Sequence, residues 1–109
     1  MSNSIVIRSI GPTSVIAVST TASTPLLITQ NGNDQVNYAE FANTGTVPVA
    51  IRISTISSAA VHPVAGTPGD YTLNHDTTVI LAVPDKPYYV SAITVSGSST
   101  LYVTPVDSQ

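Results

Sequence analysis

The sequence predicts an all-β domain: a small antiparallel β-sandwich, jelly-roll-like, of about eight short strands. Three observations predict it. Val- and Ile-rich runs are separated at short intervals by turn residues, the pattern of a sandwich or barrel. Pro is spread along the chain, and no apolar stripe with a 3.6-residue period lasts three turns. Most connections are shorter than the dozen residues a parallel crossover needs, so the strands pair antiparallel.

The elements follow in order. Residues 4–10 alternate Ile5 and Ile7 against Val6 and Arg8, then break at Gly11–Pro12. Residues 14–19 carry Val15, Ile16 and Val18, and the hydroxyl cluster 20–24 leads through Pro25 into a strand at 26–29. Asn31–Gly32 is a turn signal, since both residues tolerate positive φ. A strand at 35–42 ends in Asn43-Thr44-Gly45, and residues 47–54 form the next. There Val49, Ile51 and Ile53 share the core face and Arg52 points outward, because successive side chains alternate. Residues 57–69, with two Pro and two Gly, read as a long loop. Short strands are expected at 70–73 and 77–83, then a turn over 84–87. Residues 88–96 and 99–104 are expected to flank Gly97–Ser98 as a tight hairpin, burying Tyr89, Ile93, Val95, Leu101 and Val103.

With 109 residues the chain is one domain. Residues 1–30 are either its first strands or an arm lent to a partner. Only 8% of the residues are charged, against about 25% in an ordinary domain, so the polar half of the strand pattern is hydroxyl. Such faces are weakly hydrated and suit being covered by another protein. Low charge also predicts poor solubility alone, with dimers or aggregates at modest concentration.

The same composition narrows the function classes. The three cations, Arg8, Arg52 and Lys86, cannot make the phosphate footprint of a nucleic-acid binder or a polybasic membrane patch. No apolar run approaches the roughly 20 residues of a membrane span. The first residues lack the basic and apolar regions of a signal peptide, which makes a cytoplasmic product the expectation. Without cysteine there is no disulfide or thiolate chemistry.

No catalytic constellation stands out, and the chain is read as a non-enzyme with no cofactor and no metal. His62 and His75 are read as surface histidines. His75–Asp76 adjacency makes no site, because strand neighbours face opposite ways. Asp34, Asp70, Asp76 and Asp85 sit beside turn residues, where Asp caps turns. Neither G-x-S-x-G nor S-x-x-K occurs. Tyr71, Tyr88 and Tyr89 offer a sugar-stacking groove as one reading. Buried rings with wet hydroxyls are the other.

The second half has a recognisable order. Phe41-Ala42-Asn43-Thr44-Gly45 precedes Val47-Pro48-Val49-Ala50-Ile51-Arg52. A Pro/Gly-rich loop and a strand closed by Pro84 follow, then Tyr89-Val90-Ser91-Ala92-Ile93 and Thr100-Leu101-Tyr102-Val103-Thr104-Pro105. Over residues 36–106 this resembles the capsid decoration, or cement, proteins of short-tailed bacteriophages. The resemblance implies a jelly-roll-like sandwich, made in the host cytoplasm and carried on the outer surface of an icosahedral head. It implies the major capsid protein as partner, clamped across neighbouring subunits, with the decoration protein often a dimer. The contact candidates are the uncharged N-terminal stretch Asn3, Ser4, Ile5, Val6 and Ile7 with Arg8, suited to adding a strand to a neighbour's sheet, and the cations Arg52 and Lys86. Two other roles remain open: a tail, fibre or head-completion component, and a carbohydrate- or host-binding sandwich.

Overall fold

The computed structural model describes residues 7–29, 37–84 and 87–108. The predicted Asn31–Gly32 turn, and Asp85 and Lys86 of the 84–87 turn, lie outside them. Nine strands form: β1 (Ile7–Ser9), β2 (Ser14–Val18), β3 (Leu26–Ile28), β4 (Asn37–Asn43), β5 (Val49–Ser54), β6 (Tyr71–Leu73), β7 (Thr77–Val83), β8 (Tyr88–Ile93) and β9 (Ser99–Ser108). One sheet runs β1–β9–β4–β7, with β2 also on β9, and the other runs β3–β8–β5–β6. Every pairing is antiparallel.

β1 and β2 lie along the same side of β9 and are one strand interrupted. β1 pairs with the end of β9 (Ser9 opposite Val106) and β2 with its start (Ser14 opposite Val103). The interruption falls at Gly11–Pro12, as the sequence suggested. It faces Pro105, which lies inside the central strand β9. The Ile10 N–H donates to the Pro105 carbonyl at 3.0 Å, so residue 105 turns its backbone polar groups toward β1 and β2. Its missing N–H therefore falls where the neighbouring strand leaves the ladder, the kind of irregularity at which a sheet tolerates Pro.

Counting β1 and β2 together leaves eight strands in the order of a jelly roll. β5 and β6 are consecutive in the chain and share a sheet; the other links cross between sheets. The expected hairpin at Gly97 is therefore corrected. β8 and β9 belong to opposite sheets, and residues 94–98 arch between them. Gly97 does adopt positive φ (69°), and its carbonyl accepts from Thr94 Oγ1 at 3.0 Å.

The core lies between the sheets: Ile16, Val18, Phe41, Val49, Ile51, Tyr88, Val90, Ala92, Leu101 and Val103 are all buried there. The β5 assignment holds, with Val49 and Ile51 buried and Ile53 packed against the core. On β8 the expected set is one residue out of register. Tyr88, Val90 and Ala92 point inward, Tyr89 and Ile93 are half-buried, and Val95 is 59% exposed beyond the strand. A one-residue slip moves every side chain to the other face. The run Tyr88–Tyr89–Val90 has apolar rings at both registers, so composition could not choose.

Candidate functional site

The two sheets present unlike outer faces. On the β3–β8–β5–β6 sheet, residues 55–70 fold back over the strands. Arg52 faces outward as expected, but it is not a free surface cation. Its Nε donates to both Asp70 carboxylate oxygens at 3.0 and 3.1 Å, and its Nη1 donates to Ser58 Oγ at 2.7 Å. Asp70 also accepts the Val61 N–H at 2.6 Å, and its own N–H donates to the Val61 carbonyl at 2.8 Å. Beside Arg52 on β8, buried Ser91 accepts the Ala60 N–H at 3.0 Å and donates to the Ser23 carbonyl at 2.8 Å. The loop is thus pinned at both ends, and its apolar side chains Ile56, Val61 and Val64 project into solvent.

The outer face of the five-stranded sheet has no such cover among the described residues. Alternation along β2, β9, β4 and β7 places Val15, Tyr102, Ala42 and Thr78 in one cross-strand row. Ala17 and Thr100 lie to one side of it; Thr104, Glu40 and Ile80 form the next row on the other. Val15 is 59% exposed, and Tyr102 and Ile80 are each 39% exposed. Half-buried Glu40 is the one charge in these rows. A face of Val, Tyr, Ile, Ala and Thr with one charge is poorly hydrated, and contiguous exposed apolar surface is where proteins dock.

The contact candidates do not converge. Asn3, Ser4, Ile5, Val6 and Lys86 lie outside the described residues. Ile7 and Arg8 belong to β1, with backbone partners Ser108 and Asp107 in the chain's own sheet. Arg52 is on the opposite sheet, occupied by Asp70. The weakly hydrated face expected from the missing charge is present, but apolar residues at both registers of β2 and β7 hide from the sequence that Val15, Tyr102 and Ile80 are its exposed members.

The histidines need one correction. His62 is half-buried: its Nδ1 lies 2.9 Å from the Pro63 carbonyl and its Nε2 is enclosed. His75 is exposed, in a turn where Asp76 takes positive φ (54°), so the two neighbours sit on no strand. The sugar-stacking arrangement does not form. Tyr88 is fully buried, and burial pushes its phenol pKa up to about 12. Tyr89 points the opposite way, and Tyr71 is exposed on β6. A cleft of about 100 Å³ lies beside the strand break, lined by Pro12, Ser14, Leu27, Ile28, Thr29 and Pro105. Among the described residues no three His, Asp or Glu side chains gather as a metal site would require, and no helix is long and apolar enough to cross a membrane.

One polar cluster is architectural. Buried Asn43 donates through Nδ2 to the carbonyls of Val47 (2.9 Å), Asn74 (3.1 Å) and Leu73 (3.2 Å). Its Oδ1 accepts the Gly45 N–H and the Ser99 hydroxyl. Asn43 thereby ties the β4–β5 and β6–β7 connections to the start of β9. A side chain at Gly45 would collide with Ser99, so Asn-Thr-Gly is a packing requirement here.

The fold and its surfaces define a class: a small jelly-roll sandwich with one outer face covered by a loop and the other left uncovered by the described residues. No protein-family model matches the chain, and no curated protein matches it. Among solved structures, the crystal structure of PirA is similar, with a TM-score of 0.51 and 14% identity over 89% of this chain and 93% of PirA. At that identity the likeness is one of fold.

Proposed function

We propose that this protein is a structural, non-catalytic virion component. It docks on the outer surface of an icosahedral phage head and clamps neighbouring major capsid protein subunits. The observation that carries this reading is the nearly uncharged outer face of the five-stranded sheet, which the described residues leave uncovered. The resemblance over residues 36–106 supplies the setting, and the jelly-roll order agrees with what it implies.

The mechanism needs no chemistry. A rigid sandwich offers a preformed patch, so little conformational entropy is lost on docking. Contacting two capsid subunits makes the second contact intramolecular, which turns two modest interfaces into a tight clamp. Binding the expanded shell and not its precursor stabilises the expanded shell by mass action. Arg52 ranks below the sheet face as a contact candidate, because its guanidinium already holds the loop through Nε and Nη1.

The test is cosedimentation with expanded heads that lack this protein. Saturable binding at a fixed ratio, on the order of hundreds of copies per shell as repeated symmetric sites require, supports the proposal. Saturation at a handful of copies moves the protein to the tail or connector, and no binding removes the capsid role.

A further inference from the structure

The outer face of the five-stranded sheet is nearly uncharged, but not wholly so. Glu40 is the one charge in its described rows, and the register fixes where that charge stands. It lies midway along β4, opposite Thr104 of β9 on one side and Ile80 of β7 on the other. β4 is an interior strand, so the carboxylate rises from within the face and not from its rim. Arg52–Asp70 is the ion pair among the described residues, so Glu40 holds no cation of its own chain there.

The neighbours on the same face are aromatic or apolar. Tyr102 is the diagonal neighbour of Glu40 across the β4–β9 pair, and such positions lie about 7–8 Å apart, within reach of an aromatic ring. Tyr38 and Ala42 stand two residues to either side along β4, on the same face. Glu40 is half-buried among them.

A rim charge keeps its water when a partner docks; a charge inside the covered area does not. Burying a lone carboxylate is strongly unfavourable, and the cost is offset only when a cation arrives with the partner. This chain is itself a poor source of that cation, because it has three and Arg52 is committed to Asp70. Its net charge of −3 attracts a basic partner surface instead.

We propose that Glu40 is the polar anchor of the docking face, and that the partner surface covering it places an arginine against its carboxylate. Guanidinium suits this position better than ammonium for three reasons. Its planar fork meets a carboxylate through two N–H donors. Its face stacks on an aromatic ring, which Tyr102 supplies from the diagonal position. It is more weakly hydrated than an ammonium, so it enters an apolar interface at lower cost. Glu40 thereby sets specificity: a partner without the cation would leave a carboxylate buried and unpaired. The inference rests on the proposed docking of this face and names the chemistry of the surface that meets it.

The test uses the full chain and expanded heads that lack it. Glu40→Gln keeps the shape and removes the charge. It should fold as the parent does by circular dichroism and bind shells about thirtyfold or more weakly, the effect of removing one member of a buried charge pair. Asp76→Asn removes the same charge from an exposed turn whose positive φ Asn also accepts, and it should bind as the parent does. Shells saturated with the parent should protect an arginine at each docking site from phenylglyoxal, mapped by mass spectrometry, and that arginine should react on undecorated shells. Equal or tighter binding by Glu40→Gln, an equal loss with Asp76→Asn, or a saturated shell with no protected arginine would overturn the inference. If the parent and Glu40→Gln saturate shells equally, the proposed function stands and this inference alone fails; a parent that ignores shells ends both.

Discussion

The two outer faces of this sandwich solve the same problem in opposite ways. On the β3–β8–β5–β6 sheet, the chain covers itself. Arg52 and Asp70, the ion pair seen among the described residues, fasten residues 55–70 across the strands. On the five-stranded sheet nothing described covers Val15, Tyr102 and Ile80. A chain with so few charges places two of them where they hold a loop and leaves Glu40 as the one charge in the described rows of the opposite face. The first face is completed by the chain itself, and the second is left uncovered by the described residues.

The largest effect should strike both faces alike. Phe41→Ala empties the centre of the core between the sheets, and the expected loss is about 3–5 kcal/mol in urea unfolding. A loss far below that range would mean the sheets do not share one core.

Tyr88, also central, adds a pH signature. Burial raises its folded pKa to about 12 from an unfolded value near 10. The unfolded state therefore loses its proton first, and stability falls as pH rises from about 10 to 12, by roughly 2–3 kcal/mol in all. Below pH 10 the phenol contributes no slope. Tyr88→Phe should remove the alkaline decline; an unchanged decline would place the phenol in solvent.

Arg52→Ala breaks the covered face alone. The loss of charge-assisted hydrogen bonds, discounted for partial exposure, should cost about 1–2 kcal/mol. Amide exchange at Ala60 and Val61 should quicken while shell binding persists. If binding falls with it, the loop and not the sheet makes the contact.

The smallest stability effect belongs to the bare face. The double variant Val15→Lys with Tyr102→Lys should change unfolding by about 0.5 kcal/mol or less. A larger loss would mean these side chains already pack against the chain itself.

Much of this was legible in the sequence. Turn residues and two-residue alternation placed β2, β3, β5 and β7 to within a residue or two, and the core face of β5. Tyr88–Tyr89 hid the β8 register because a ring stands at either position. Gly97 announced a turn but not that it joins two sheets, since positive φ serves an arch as well as a hairpin. The roles of Asn43 and Arg52 depend on residues 74, 99 and 70, distant in the chain, and no local pattern encodes them. The bare face was visible as missing charge, but which apolar residues lie outside follows only once the register is known.

The most direct measurement is shell binding by three proteins side by side: the parent, Arg52→Ala, and Val15→Lys with Tyr102→Lys. The account predicts saturable binding for the first two and none for the third, with all three folded. Undiminished binding by the lysine variant would contradict it, because the bare face would then not be the docking surface.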